Sequence, residues 1–344
     1  MVPLCFIGCG FISQQCHLPS FTEIEDANLL ALSDLDSLVR EKTAGRFGIP
    51  RSYESHTELL ADQDVDAVVI VVKRELAFGI IRDALNANKH VLTEKPLCLD
   101  PVNAETLRNL ATEKKRVLSV GYMKRHDLGV KSFREFLLNK MNQGTPYLIS
   151  IKHYGGDSYW NPINQVRSQT KIEDSISFVE PISRCIDTCW HPAYKRFLNT
   201  YSHSFDLIEY LFGGSLHFCS KQIDKNGFGI STFELILNNK SETQVPVSFH
   251  SAECNTSDWN DSLEIIFPGL KAKLELPPPL LRNVPAKWST TQGNGPQSIT
   301  TTMPKPSWAF VEQARDFVKL IESEDAIVDQ SAINQVKLVS SIFS

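Results

Sequence analysis

Short apolar runs alternate with amphipathic stretches through the first third of the chain. "PLCFIGCG" reads as a strand ending in glycines, and "FISQQCHLPSFTEI" as a helix. "NLLALSD" is the next strand, followed by a helix over "SLVREKTAGRFG" that Gly48 stops. "HTELLADQ" (helix), "VDAVVIVV" (buried strand), "AFGIIRDALNANK" (helix) and "HVLTEKP" (strand) continue the series. A helix opening on Asp100-Pro101 and the strand "RVLSVGY" close it. Such alternation predicts a parallel sheet with helices on both faces, an α/β unit.

The pattern changes after about residue 122. A helix, "LGVKSFREFLLNK", leads to the strand "YLISIKHY" and then to a polar stretch over 156–180, longer than ordinary connections and so a candidate functional loop. "NTYSHSFDLIEYLFG" predicts a helix closed by Gly213-Gly214. "LHFCSKQI", "ISTFELIL", "QVPVSFHSAE", "DSLEIIF" and "LKAKLEL" alternate with period two, as strands with one wet face do. Prolines 277–279 end that run, and two helices, "SWAFVEQARDFVKLIESE" and "DQSAINQVKLVSSIFS", follow. The expected architecture is an N-terminal Rossmann fold over 1–121 and a C-terminal α+β domain over 122–344, built on an open, mainly antiparallel sheet.

Composition adds exclusions. The 344 residues are 42% hydrophobic and 22% charged, ordinary for a soluble globular chain. A net charge of −5 offers no footprint for nucleic acid or an anionic membrane. The start, "MVPLCFIGCG", enters a strand without a basic region or cleavage site, and no apolar run is long enough to span a bilayer. The eight cysteines therefore read as reduced thiols in a cytoplasmic protein. "CIDTCWH" at 185–191 does not have zinc-ligand spacing, so no metal is expected.

Gly8-Cys9-Gly10-Phe11-Ile12-Ser13 sits between the first strand and first helix. Gly8 suits a tight turn, and Gly10 suits close approach of backbone to a pyrophosphate at a helix N-terminus. Ser13 stands where the fingerprint has its third glycine. Asp34 ends the second strand at about the expected twenty-residue offset; it suits a ribose 2′-hydroxyl and repels a 2′-phosphate. With no arginine in "SDLDS", NAD is expected in preference to NADP. The competing reading makes Asp34 a helix N-cap.

"GCGFISQQCHLPSF", "SDLD", "RFGIP", "ELLADQDVDAVVIVV", "NANKHVLTEKPL" and "VGYMKRHDLGV" together resemble the Gfo/Idh/MocA oxidoreductase family, and "RFLNTYSHSFDLIEYLFG" and "SWAFVEQARDF" extend the likeness along the chain. The resemblance implies hydride transfer between NAD(P) and a hydroxyl-bearing carbon of a sugar, sugar derivative or cyclitol. It also implies a homodimer or homotetramer assembled through the open sheet. By the same resemblance Lys95 of "EKP" lies beside the nicotinamide, its peptide bond to Pro96 commonly cis, and Glu94 braces the turn. His203 and Asp206 of "HSFD" match the family's H-x-x-D, making Lys95 and His203 the candidate catalytic pair.

Two departures matter. The family often carries Asp four residues before its His, where this chain has Asn199, an amide that can hold a hydroxyl but cannot take its proton. The usual Thr-Pro-x-x-x-His is replaced by Val72-Lys73-Arg74-Glu75-Leu76-Ala77; Lys73 or Arg74 then faces an anionic group or only solvent. The resemblance puts Gly8, Gly10, Phe11, Ile12, Asp34, Val72, Lys73, Glu94 and Lys95 around the cofactor. Tyr122, Arg125, Asn199, His203 and Asp206 would line the substrate pocket, and Trp160 could stack on a sugar ring. Two other functions stay open: a non-catalytic NAD- or sugar-sensing regulator, and an NAD-using glycosidase.

Overall fold

A computed structural model describes residues 1–156, 165–167, 179–238, 243–254, 258–292, 298–323 and 327–344. Two compact units divide these residues. The first holds Met1–Tyr122, Phe310–Val336 and the described residues within 162–183. The second holds the remainder, including Arg184–Ala309 and Lys337–Ser344.

Chain order in the first unit is β1 (Val2–Ile7), a π-helical turn (Ser13–His17) running into α1 (Leu18–Thr22), β2 (Ala27–Ser33), α2 (Ser37–Phe47), β3 (Arg51–Tyr53), α3 (His56–Leu60), β4 (Ala67–Ile70), α4 (Arg74–Asn86), β5 (His90–Thr93), α5 (Pro101–Lys114) and β6 (Leu118–Val120). Among the described residues the six strands form one parallel sheet in the order β3-β2-β1-β4-β5-β6, the doubly wound Rossmann order. β1, β4 and β5 are almost continuously apolar because both faces are covered; Leu4, Phe6, Val68, Val69, Val91 and Leu92 are fully buried. The chain end returns here. Phe317 meets Phe21 edge-on, and Leu118 of the edge strand β6 exchanges backbone hydrogen bonds with Ile327 and Asp329.

The second unit begins with a 3-10 turn (Met123–His126), followed by α6 (Leu128–Met141), β7 (Leu148–Gly156), α7 (His191–Arg196), a π-helical turn (Phe197–Tyr201), α8 (Ser202–Phe212), β8 (Gly214–Ile223), β9 (Gly229–Leu237), β10 (Gln244–Cys254), β11 (Asn260–Phe267), β12 (Leu270–Leu276), β13 (Lys287–Gln292) and β14 (Ser298–Thr302). Two last helices are α9 (Ala309–Glu322) and α10 (Gln330–Phe343). The described strands form one eight-stranded sheet, β14-β13-β12-β11-β7-β10-β9-β8, antiparallel except for the β7–β10 pair. One face is apolar: Ile151, Phe233, Phe249, Leu263 and Leu274 are buried. On it Phe205 of α8 packs 5.0 Å from both Phe233 and Phe249. The alternate positions, Thr232, Glu234, Ser248, His250, Lys271 and Glu275, keep the polar character that gave the period-two pattern.

Local chemistry explains most boundaries. Asp36 caps α2 by accepting from the Val39 amide at 3.0 Å, and Gly48 ends the helix in the left-handed region at φ 65°. Gly213 does the same for α8. Asp127 accepts from the amides of Gly129, Val130 and Ala286, tying the start of α6 to the chain before β13. The sequence pattern missed β3, β13, β14 and α7. The three strands are short or rich in Ser and Thr, without the apolar alternation of the inner strands. Helix α4 also starts at Arg74, three residues earlier than its apolar pattern suggests.

Gly129 sits so close to the Ala286 carbonyl that an added Cβ would lie 1.9 Å from its oxygen. Gly129→Ala is therefore expected to lower unfolding free energy by about 1–3 kcal/mol, the usual range for overpacking. Urea denaturation of the two proteins measures the difference.

Candidate active site

The carboxyl ends of β1, β2, β4 and β5 converge in the first unit, where an open parallel sheet binds its ligand at the reversal of strand order. Gly8 leaves β1 at φ +91°, and a Cβ there would stand 2.3 Å from the Val71 carbonyl oxygen and 3.0 Å from Val72 Cγ1. No side chain fits. Ser13 Oγ donates to Gly8 O at 2.5 Å, tightening the turn in place of a third glycine. Gly10 differs: it is exposed, and no heavy atom lies within 4 Å of where its Cβ would be. The protein itself does not need a glycine there, whereas a pyrophosphate drawn against the backbone would. Phe11 and Ile12, both half-buried, follow it into the π-helical turn.

Asp34 does not cap the helix; Asp36 does. Its Oδ2 accepts the Cys9 amide at 2.8 Å and its Oδ1 the Asp36 amide at 2.9 Å, joining the end of β2 to the glycine turn. A carboxylate can accept about four hydrogen bonds, so capacity for a ribose hydroxyl remains. Arg40, missed by inspection of "SDLDS", reaches back from α2 and donates through Nη1 to the Asp34 carbonyl at 2.8 Å. These donors and acceptors fit a dinucleotide.

Strand β5 ends at Thr93, and the Lys95–Pro96 peptide that follows is cis. Glu94 Oε2 accepts the Lys95 amide at 3.2 Å, while Oε1 is 2.7 Å from His17 Nε2. Burial works against the Glu94 charge, but His17 and Lys95 outweigh it and hold the carboxyl below its ordinary range. Lys95 is half-buried; Val72 is half-buried and Lys73 exposed, in the turn between β4 and α4. Glu180 buttresses the far side of the Lys95 turn. Its carboxylate accepts the Leu99 amide at 3.0 Å and Asn103 Nδ2 at 2.7 Å, and its own amide donates to Glu75 O at 2.7 Å. Burial, aided by the Asp100 charge, pushes Glu180 up to about 7 against those two donors. Gln14 makes a second tie: Nε2 donates to Cys9 O and Val166 O, and Oε1 accepts the Val166 amide. His17, Gln14 and Glu180 carry no motif spacing, and no sequence signal pointed to them.

The remaining candidates, apart from Tyr122 and Trp160, belong to the second unit. Arg125 clasps Asp206 of α8 with two hydrogen bonds, Nε to Oδ2 at 2.7 Å and Nη2 to Oδ1. Asp206 is 1% exposed. Asn199 lies in the π-helical turn before α8, and His203 in the first turn of α8, both half-buried. Beside Arg125, the buried Lys124 donates to Asp261 Oδ2 at 2.5 Å, and His153 Nδ1 lies 3.4 Å from the same oxygen. Burial opposes the Asp261 charge, yet Lys124 and His153 hold its carboxyl far below the normal range. Tyr122, a first-unit residue, is buried. Trp160 lies outside the described residues.

A glycine turn at a parallel-sheet switch point, with an acid at the end of β2, defines a dinucleotide-binding Rossmann protein. Residues 3–122 match the Gfo/Idh/MocA family, described as an oxidoreductase family with an NAD-binding Rossmann fold. The match covers about a third of the 344 residues, the segment that carries the glycine turn, Asp34 and Lys95. Inositol 2-dehydrogenase/D-chiro-inositol 3-dehydrogenase of Lacticaseibacillus casei is 28% identical over 163 residues, 46% of this chain and 46% of that protein. Inositol 2-dehydrogenase 3 of Saccharopolyspora erythraea is 32% identical over 154 residues, 43% of each. The matched part thus spans less than half the length of these curated relatives. The whole fold is shared with solved structures. A dehydrogenase from Clostridium difficile superposes with TM-score 0.72 at 19% identity, covering 99% of this chain and 98% of that one. A 3-ketoreductase from Actinomadura kijaniata, solved with NADP and TDP-benzene, gives 0.70 at 16% identity, covering 99% and 96%.

A carboxyl whose folded pKa is raised binds its proton more tightly folded than unfolded. Its contribution is therefore favourable at low pH and is lost as pH climbs from about 4.5 to about 7. Glu180→Gln keeps an acceptor for Leu99 without the charge. The wild type is expected to lose about 2–3 kcal/mol of stability relative to Glu180→Gln between pH 4 and 8. Thermal melts of both proteins across that window test it.

Proposed function

We propose that this protein is an NAD(H)-dependent oxidoreductase, a dehydrogenase or reductase acting on a CH–OH group of a sugar, sugar derivative or cyclitol. The observation that carries the reading is the end of β5. There a half-buried lysine follows a carboxylate that His17 holds, in the same unit as the glycine turn and Asp34. The inositol dehydrogenases among its relatives support the substrate class. In this reading residues 1–121 bind the dinucleotide and 122–344 carry the substrate and oligomer contacts, with 310–336 completing the first unit. Gly8, Gly10, Phe11, Ile12, Asp34, Val72, Lys73, Glu94 and Lys95 serve the cofactor.

Bound NAD supplies the hydride acceptor or donor at its nicotinamide. The chain's own residues then manage the proton. When an alcohol is oxidised, hydride leaves carbon with the bonding pair and the hydroxyl proton passes to a base; ketone reduction reverses both movements. We assign that proton to Lys95 and His203. Asn199 holds a hydroxyl, since its amide donates and accepts but does not titrate. Arg125 reaches substrate already neutralised by Asp206, an arrangement that favours an uncharged polyol over a carboxylate. Tyr122, Asp206 and Trp160 complete the proposed substrate contacts. Asp34, a fixed negative charge, favours NAD over NADP.

A homodimer or homotetramer joined through the half-polar face of the eight-stranded sheet belongs to the same proposal. Leu148 and Ile230, each about two-fifths exposed on that sheet, support it. A cytoplasmic setting, where the buried thiols Cys5, Cys9, Cys16 and Cys98 stay reduced, is also part of the proposal. No helix among the described residues is long and apolar enough to cross a membrane.

Lys95→Ala should still bind NADH while losing about 10²–10⁴-fold in turnover, far more than any loss of nucleotide affinity, measured by nicotinamide absorbance against a panel of cyclitols and sugars. Wild-type nucleotide binding with no turnover on any of them would point to a sensor instead. Asp34→Ala should weaken NAD binding and raise the NADP-to-NAD affinity ratio about tenfold or more, a change of about 1.4 kcal/mol readable by titration calorimetry.

A further inference from the structure

His17 is the last residue of the π-helical turn that starts three residues past Gly10, and it is almost fully buried. Its ring meets Phe310 of α9 edge-on at 5.3 Å, which limits its freedom to turn. From that position Nε2 reaches Glu94 Oε1 at 2.7 Å, and the other carboxylate oxygen takes the Lys95 amide. The pocket leaves the carboxylate little slack, since a Cβ on Gly121 would already stand 3.0 Å from Oε1. The glycine turn and the Lys95 turn, about 80 residues apart in sequence, are thus joined by one part-buried hydrogen bond.

We propose that His17 is a positioning residue for Lys95: by donating to Glu94 it keeps that carboxylate ionised and fixed, and the carboxylate sets the charge state of the lysine amine. This rests on the reading of Lys95 as the proton-transfer group. A carboxylate with this little exposure keeps its charge with the help of donors, because burial alone drives it to take up a proton. Among the described residues the titratable groups acting on Glu94 are His17, from the turn packed against it, and Lys95, from its own segment; Phe310, which packs on the His17 ring, has no charge. Remove the imidazole and burial favours protonation of the carboxylate; Lys95 then loses that counter-charge and its amine deprotonates at lower pH. A π-helical turn inserts one residue into helical spacing, a device often found at functional sites. Here the turn ends on the histidine that makes the contact.

The test reads Lys95 itself. Acetylation of the full-length chain by limiting acetic anhydride is followed by peptide mass spectrometry as a function of pH, giving the midpoint for Lys95. His17→Phe and Glu94→Gln are each expected to lower that midpoint by about one pH unit, within the range an opposite charge produces. His17→Gln, which retains a donor of similar reach, should stay near the wild type. The double variant His17→Phe/Glu94→Gln should match Glu94→Gln alone. If His17→Phe does not fold, His17→Asn, too short to reach Glu94, carries the same expectation. An unchanged midpoint in these variants, or a further shift in the double variant, overturns the proposal. Absence of turnover in the wild type would instead overturn the oxidoreductase reading and leave the midpoint comparison intact.

Discussion

The carbonyl of Val71 occupies the place where a side chain on residue 8 would begin, and much of the nucleotide-binding unit follows from that contact. Only a residue without Cβ lets β1 and β4 end side by side and the chain turn at once at positive φ. The turn places Ser13 and Gln14 so that both hydrogen-bond back to it, and brings the Cys9 amide to Asp34. Four strand ends are thereby gathered by backbone geometry. Side-chain chemistry is then added by short polar bonds, each donor or acceptor drawn from a different strand end or helix.

Much of this organisation is legible in the sequence, for identifiable reasons. Buried parallel strands must be apolar on both faces, so β1, β2, β4 and β5 announce themselves, and the wet-faced strands β8–β12 announce themselves by alternation. β3 lies at a sheet edge with three residues, and β13 and β14 are made largely of Ser and Thr; burial leaves no mark on such segments. The motif positions Gly8, Asp34 and Glu94 do come together at the strand ends. Their partners were invisible. Two aspartates in "SDLD" are equivalent by composition, and only the fold shows that one caps a helix while the other receives the Cys9 amide. His17 and Glu180 act across 77 and 81 residues, distances at which spacing carries no information.

The second unit handles charge differently. Two of its buried acids, Asp206 and Asp261, are each answered by a neighbour in "KR". Breaking either pair would leave a buried charge uncompensated, which costs more than the pair contributes when intact. Both pairs together leave this region polar yet close to neutral.

The return of residues 310–336 to the nucleotide half carries a consequence for how the protein is made. On a ribosome, β1 to β6 emerge first, but Phe21 has no Phe317 to cover it and the edge of β6 has no Ile327 or Asp329 to pair with until those later residues are translated. An open strand edge beside exposed aromatic surface is a template for mispairing. The nascent first unit waits in that state while the whole second-unit sheet is made, and is closed only when residues 310–336 follow.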